Sequence, residues 1–145
     1  MLNHPCVRRF CLLLGCSLLL PSLGAGGQSN QGQFDAFFAS FKAAVASKDS
    51  VTLEKLMAAE FDYFQAHKVA PADVFKSLDA QNGQQWANLQ SAVQNQPVKF
   101  KDGYGGKPAR ALQCTPTNVI YRCYVVFQQD TQHHWKWKAM IMPQH

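Results

Sequence analysis

Apolar side chains recur at three- and four-residue spacing through Phe34, Phe37, Phe38, Phe41 and Val45. That spacing draws one apolar face of a helix. Asp35 stands early in it and Lys42 and Lys48 late, as the helix dipole favours. Gln28 to Gln33, polar and glycine-bearing, predicts a flexible lead-in. Ser47-Lys48-Asp49-Ser50 reads as a break. Asp49 or Ser50 then caps a second short helix carrying Val51, Leu53, Leu56 and Met57. Phe61-Asp62-Tyr63-Phe64 alternates enough for a short strand. Pro71 opens a third helical pattern through Val74, Phe75 and Leu78, at a position where proline is tolerated. Asn82-Gly83 predicts a turn, and Trp86, Leu89 and Val93 a further helix that ends before Pro97.

Beyond Pro97 the period changes from helical to alternating. Val98-Lys99-Phe100 predicts a short strand and Asp102 to Gly106 a loop. Ala109 to Cys114 predicts a strand, Thr115-Pro116-Thr117-Asn118 a turn, and Val119 to Gln128 the clearest strand of the chain. Asp130-Thr131-Gln132 turns into a last strand, His133 to Met142. Strict alternation there puts Trp135, Trp137, Ala139 and Ile141 on one side, facing the helices. His134, Lys136, Lys138 and Met140 fall on the other. The fold class expected is α+β, with N-terminal helices packed on a curved antiparallel sheet. Residues 28–145 form one domain with no internal repeat or linker.

The first 27 residues read differently. Arg8 and Arg9 precede an apolar run from Phe10 to Leu20, and Pro21 then leads into the small residues Ser22 to Gly27. Charge, apolar core and small-residue exit in that order describe a secretory signal peptide cleaved between 24 and 27. The run is well short of the ~20 residues that cross a bilayer. Leu13-Leu14-Gly15-Cys16 resembles a lipobox, but Ser17 to Leu20 carries the apolar run past that cysteine. The expected location is therefore secreted or periplasmic, without a transmembrane segment.

Export changes the cysteine arithmetic. Cys6, Cys11 and Cys16 lie in the leader, which leaves Cys114 and Cys123. Two cysteines close in sequence in an oxidising compartment favour one disulfide over two buried thiols. A turn centred on Pro116-Thr117 would set Cys114 opposite Val119, so the bond needs a wider loop or a bulge.

The leading helix, then Lys48-Asp49-Ser50, Leu53-Glu54-Lys55-Leu56-Met57 and Glu60-Phe61-Asp62-Tyr63-Phe64, resembles the NTF2-like (SnoaL-like) superfamily. The closing Trp135-Lys136-Trp137-Lys138 is similar to that group's last strand. The resemblance implies a cone, a curved sheet wrapped around helices with a pocket inside. It covers the two ends of residues 28–145 and fades through 65–110. Its members include small enzymes and binding modules, so it fixes fold better than activity.

Catalytic members of such cones place an Asp, His or Tyr in the pocket, and Asp62, Tyr63, His67 and Tyr104 are the candidates here. Asp62 and Tyr63 are strand neighbours and point to opposite faces. No acid–base pair shares an expected face, so no catalytic residue is assigned. His133 and His134 would also face opposite sides of a strand, without an acid at ligand spacing. No metal or cofactor is expected.

Charge supplies the remaining lead. Residues 28–94 carry five Lys against seven acids, whereas 95–145 carry Lys99, Lys101, Lys107, Arg110, Arg122, Lys136 and Lys138 against Asp102 and Asp130. Arg122, Lys136 and Lys138 are expected together on the outer face of adjacent strands. There they would contact a polyanionic envelope component, or serve as a solvated face that discourages edge pairing. No nucleic-acid module is present. The expected function is thus an exported, non-catalytic binding module for a small apolar ligand or anionic envelope component, with homodimerisation open. The alternative is a small pocket enzyme of isomerase or hydrolase type.

Overall fold

The computed structural model describes residues 29–114 and 123–142. The leader of residues 1–27, the Thr115 to Asn118 turn, the start of the Val119 strand and Arg122 lie outside the described residues.

Helix α1 spans Asn30–Ser47. It starts inside the segment expected to be a lead-in, because the Ser29 hydroxyl accepts from the Gly32 amide and caps it. Lys48 ends it in a left-handed conformation at φ 54°. The Asp49 carboxylate accepts from the Thr52 amide and starts α2, Ser50–Leu56. Met57, expected in that helix, instead begins strand β1, Met57–Tyr63. Helix α3, Pro71–Ala92, opens on proline and is broken by Ala80, Gln81, Asn82 and Gly83. The break falls where Asn82-Gly83 predicts a turn between two helices. Strands β2, Val98–Lys99, β3, Ala109–Cys114, β4, Cys123–Gln129, and β5, Trp135–Ile141, complete the fold. Among the described residues no helix is long and apolar enough to cross a membrane.

The class is α+β, and the sheet order is β1-β5-β4-β3-β2. β2 to β5 pair antiparallel as expected, but β1 runs parallel to β5, so the sheet is mixed. The chain passes through α3 and the other strands before β5 returns beside β1, and a strand reached that way is free to run parallel. β3 and β4 set Cys114 directly opposite Cys123, and the two form a disulfide with Cα atoms 4.9 Å apart.

Strict alternation fails once in β5. Trp137 pairs with Phe127 and Ala139 with Val126, so Lys138 is an extra residue with no partner on β4. This β-bulge resets the faces. Trp135, Trp137 and Met140 lie with the helices, whereas Ala139 and Ile141 pack on the opposite face. The expected Trp135-Trp137-Ala139-Ile141 side is thus corrected after Trp137.

Between helices and sheet, aromatic rings fill the space. Phe41 packs edge-on against Phe127 at 5.0 Å and against Trp137 at 5.2 Å. Phe61 also meets Trp137 edge-on, at 4.7 Å. Phe34 lies between Trp135 and Phe127. The Arg110 guanidinium sits 4.2 Å over the Phe34 ring and donates to Gln31 Oε1. These edge-to-face contacts join the helix and three strands into one core.

Phe41 is fully buried between Phe127 and Trp137. Phe41→Ala is therefore expected to lower stability by ~3–5 kcal/mol, through lost transfer energy and the cavity left behind. Chemical denaturation checks this; a loss under ~1 kcal/mol would mean that the site collapses around the missing ring.

Candidate functional site

On the sheet face away from the helices, three of the sequence candidates meet. Asp62 belongs to β1 between Phe61 and Tyr63, which both pack into the helix-side core. Alternation therefore sends Asp62 to the outer face, where only 12% of its side chain is exposed. Tyr104 comes from the loop between β2 and β3 and donates from its hydroxyl to Asp62 Oδ2 at 2.6 Å. His67, in the turn after β1, places Nδ1 3.1 Å from Asp62 Oδ1. The Lys68 amide also donates weakly to that oxygen at 3.4 Å. Asp62, His67 and Tyr104 line an open cleft of about 450 Å³ with Lys107, Gln128 and Lys138.

The electrostatics of the cluster follow from that geometry. Burial opposes the charge on Asp62. The hydrogen bonds from Tyr104 and His67, with Lys138 nearby, more than offset it and hold the carboxyl below its usual range. Burial, and then the hydrogen bond to Asp62, push the Tyr104 phenol well above its usual value. Asp62 is thus an ionised acceptor and Tyr104 a protonated donor at neutral pH. In the tautomer that carries its proton on Nδ1, the His67 ring donates to that carboxylate and leaves Nε2 as an acceptor. The His67 side chain is 80% exposed, so that nitrogen works in open water.

Gln128 is the second buried polar group on this face. Its amide donates to the backbone oxygens of Tyr104 at 2.9 Å and Lys107 at 3.3 Å. The sequence reading missed Gln128 and Lys107. Gln128 gives its signal only after the register is known, as a buried polar residue opposite Lys136 on the outer face. The expectation that no ionisable pair shares a face is corrected. Asp62 and Tyr63 do diverge, but Asp62 finds His67 and Tyr104 through a turn and a loop that alternation does not describe.

The basic residues are placed as follows. Arg122 lies outside the described residues. Lys136 pairs across from Gln128 on the outer face, and Lys138 is the bulge residue beside Asp62. Both lysines reach the backbone of the neighbouring segment. Lys136 Nζ donates to the Lys55 carbonyl at 3.1 Å, and Lys138 Nζ to the Glu60 carbonyl. β1 is irregular there, with five residue steps from Met57 to Asp62 facing two steps on β5. The Glu60 carbonyl, left over by that ladder, and the Lys55 carbonyl, at the C-terminal end of α2, each take a lysine ammonium instead. His133 and His134 stand in the turn before β5 rather than in a strand. His133 has φ 63°, and His134 Nδ1 is 3.7 Å from Asp130. Among the described residues no group of three or more His, Cys, Asp or Glu could hold a metal ion.

Compared with known proteins, the chain matches no family model and no curated protein.

The depressed Asp62 pKa makes stability depend on pH with a definite sign. A carboxyl whose folded pKa lies below the unfolded value of ~3.9 stabilises the fold above that value. It loses this contribution as pH falls through the lower folded pKa. Asp62→Asn is expected to be less stable than the natural chain at neutral pH, with the gap narrowing below pH ~4 as the carboxyl protonates. Denaturant midpoints compared at pH ~7 and pH ~3 check it, and a gap that does not shrink in acid contradicts the assigned ionised Asp62.

Proposed function

We propose that this chain is an exported, non-catalytic binding module of the NTF2-like kind. Its contact surface is the basic outer sheet face of Arg122, Lys136 and Lys138, and its partner is anionic envelope material. Export to a secreted or periplasmic location rests on the leader pattern of residues 1–27. The cysteine pair suits that compartment. The NTF2-like reading rests on the sequence resemblance, and the α+β arrangement of helices on one face of a five-stranded sheet is compatible with it.

The observation that carries the non-catalytic reading is the filled interior. Where a cone enzyme keeps its pocket, Phe34, Phe41, Phe61, Phe127 and Trp137 are all buried and in ring contact. The observation that favours the basic face is the tethering of Lys136 and Lys138. Each ammonium is held at a backbone carbonyl, so its position is set before a ligand arrives. Each keeps two further protons to donate. Prepositioned charge loses less side-chain entropy on binding.

Replacing Arg122, Lys136 and Lys138 together by Gln should weaken sedimentation with phosphatidylglycerol vesicles and flatten its dependence on salt. Circular dichroism should show the fold intact. Unchanged vesicle binding in the triple variant returns this face to an ordinary solvated surface.

A second reading, a small hydrolase, is favoured by the Asp62–His67 pair at 3.1 Å, which orients Nε2 as a general base. It expects hydrolysis of p-nitrophenyl acetate above the rate of free imidazole, lost in both His67→Gln and Asp62→Asn. Equal rates in the natural chain and both variants sink that reading.

A further inference from the structure

The outer face of a sheet with helices on one side alone is ordinarily polar. Here Ala109, Val126 and Ala139 are buried on it, and their cover is supplied by Phe100 and Tyr104 from the segment that joins β2 to β3. That segment, residues 100–108, is a strap. It is fastened by the Tyr104 hydroxyl on Asp62 and by Gln128 on the backbone of Tyr104 and Lys107. Gly103, Gly105 and Gly106 all have positive φ within it. At Gly103 a side chain would run into the Lys107 carbonyl, so the strap's tight loop requires glycine. Free space flanks the strap on both sides. One cleft, of about 450 Å³, opens against Asp62. The other, of about 380 Å³, opens against Ala111, Gln113 and Tyr124.

We propose that this face is a binding groove for a hydroxylated aromatic ring of the phenol class, and that Tyr104 is its tethered occupant. The groove has an apolar floor of Ala109, Val126 and Ala139 and a carboxylate at one end. The Tyr104 ring lies against the floor and its hydroxyl meets the carboxylate. A free phenol offers the same two features in one molecule. Asp62 stays oriented when Tyr104 leaves, because His67 and the Lys68 amide hold its other oxygen. The ligand competes with the chain's own side chain, so its apparent affinity is scaled by the fraction of molecules with the strap open. The groove and the basic face take different ligands, and the experiment on one does not decide the other.

The probe is p-cresol, which is the tyrosine side chain as a free molecule, with toluene as its hydroxyl-free control. Both are titrated by calorimetry and by two-dimensional NMR into the exported chain with its disulfide intact. Tyr104→Ala is expected to bind p-cresol at least about tenfold more tightly than the natural chain. It should prefer p-cresol to toluene by about tenfold, as a hydrogen bond to a charged acceptor provides. Adding Asp62→Asn should abolish that preference. Tyr104→Phe, which loses the hydroxyl tether to Asp62 and so raises the fraction with the strap open, should also bind p-cresol more tightly than the natural chain. Equal p-cresol affinity in the natural chain and Tyr104→Phe overturns the proposal. So does a Tyr104→Ala protein that folds but does not distinguish p-cresol from toluene.

Discussion

The bulge at Lys138 is the constraint on which both faces of the sheet depend. A regular β5 would place Trp137, Ala139 and Ile141 together, and Met140 on the outside. One extra residue reverses the alternation at that point. Trp137 and Met140 then both enter the helix-side core, whereas Ala139 and Ile141 join the outer cluster. The inner face gains a fully buried methionine beside the aromatic rings. The outer face gains an alanine next to Asp62, its register partner on β1, where the strap can lie close. The bulge also turns the Lys138 ammonium toward the Glu60 carbonyl, in the stretch where β1 itself loses register. Two irregular strands are thus mended by one side chain.

Asp62 does on the outer face what the aromatic rings do on the inner one. A carboxylate this buried is costly unless its oxygens are occupied. Here one oxygen takes the Tyr104 hydroxyl, and the other takes His67 and the Lys68 amide. Those three donors come from a distant loop and from the turn after β1. Satisfying one charge therefore ties two irregular segments to the sheet. No buried side-chain nitrogen or oxygen among the described residues lacks a partner. Polar burial on this face is complete, and it acts as fastening.

The helical part of the fold was legible because its signals are local. Phe34 to Val45 keep one period, Asp49 caps where an acceptor is needed, Pro71 starts a helix and Asn82-Gly83 breaks one. The helix start at Ser29 was missed because a cap outweighed a polar, glycine-bearing stretch. Three of the site candidates, Asp62, His67 and Tyr104, were legible as residue types, but their meeting was not. It depends on a parallel β1–β5 pairing between distant segments and on a loop fold, and neither leaves a periodic trace. The bulge is equally silent in sequence. Trp135-Lys136-Trp137-Lys138 alternates perfectly up to the residue where the structure departs from it.

The placement of the lysines changes what their charge can be used for. As a count, the excess of positive charge after residue 94 describes a diffuse field that salt screens over about 8–10 Å. As a geometry, Lys136 and Lys138 are not free ends in solvent. Lys136 is held on a carbonyl of the last turn of α2 and Lys138 on a carbonyl of the irregular β1. A ligand anion reaching either one finds a donor already positioned. Removing either lysine exposes a carbonyl as well as deleting a charge. Positive charge and a structural tie therefore reside in the same atoms. An amide side chain, which can still donate to the carbonyl but carries no charge, is the substitution that separates them.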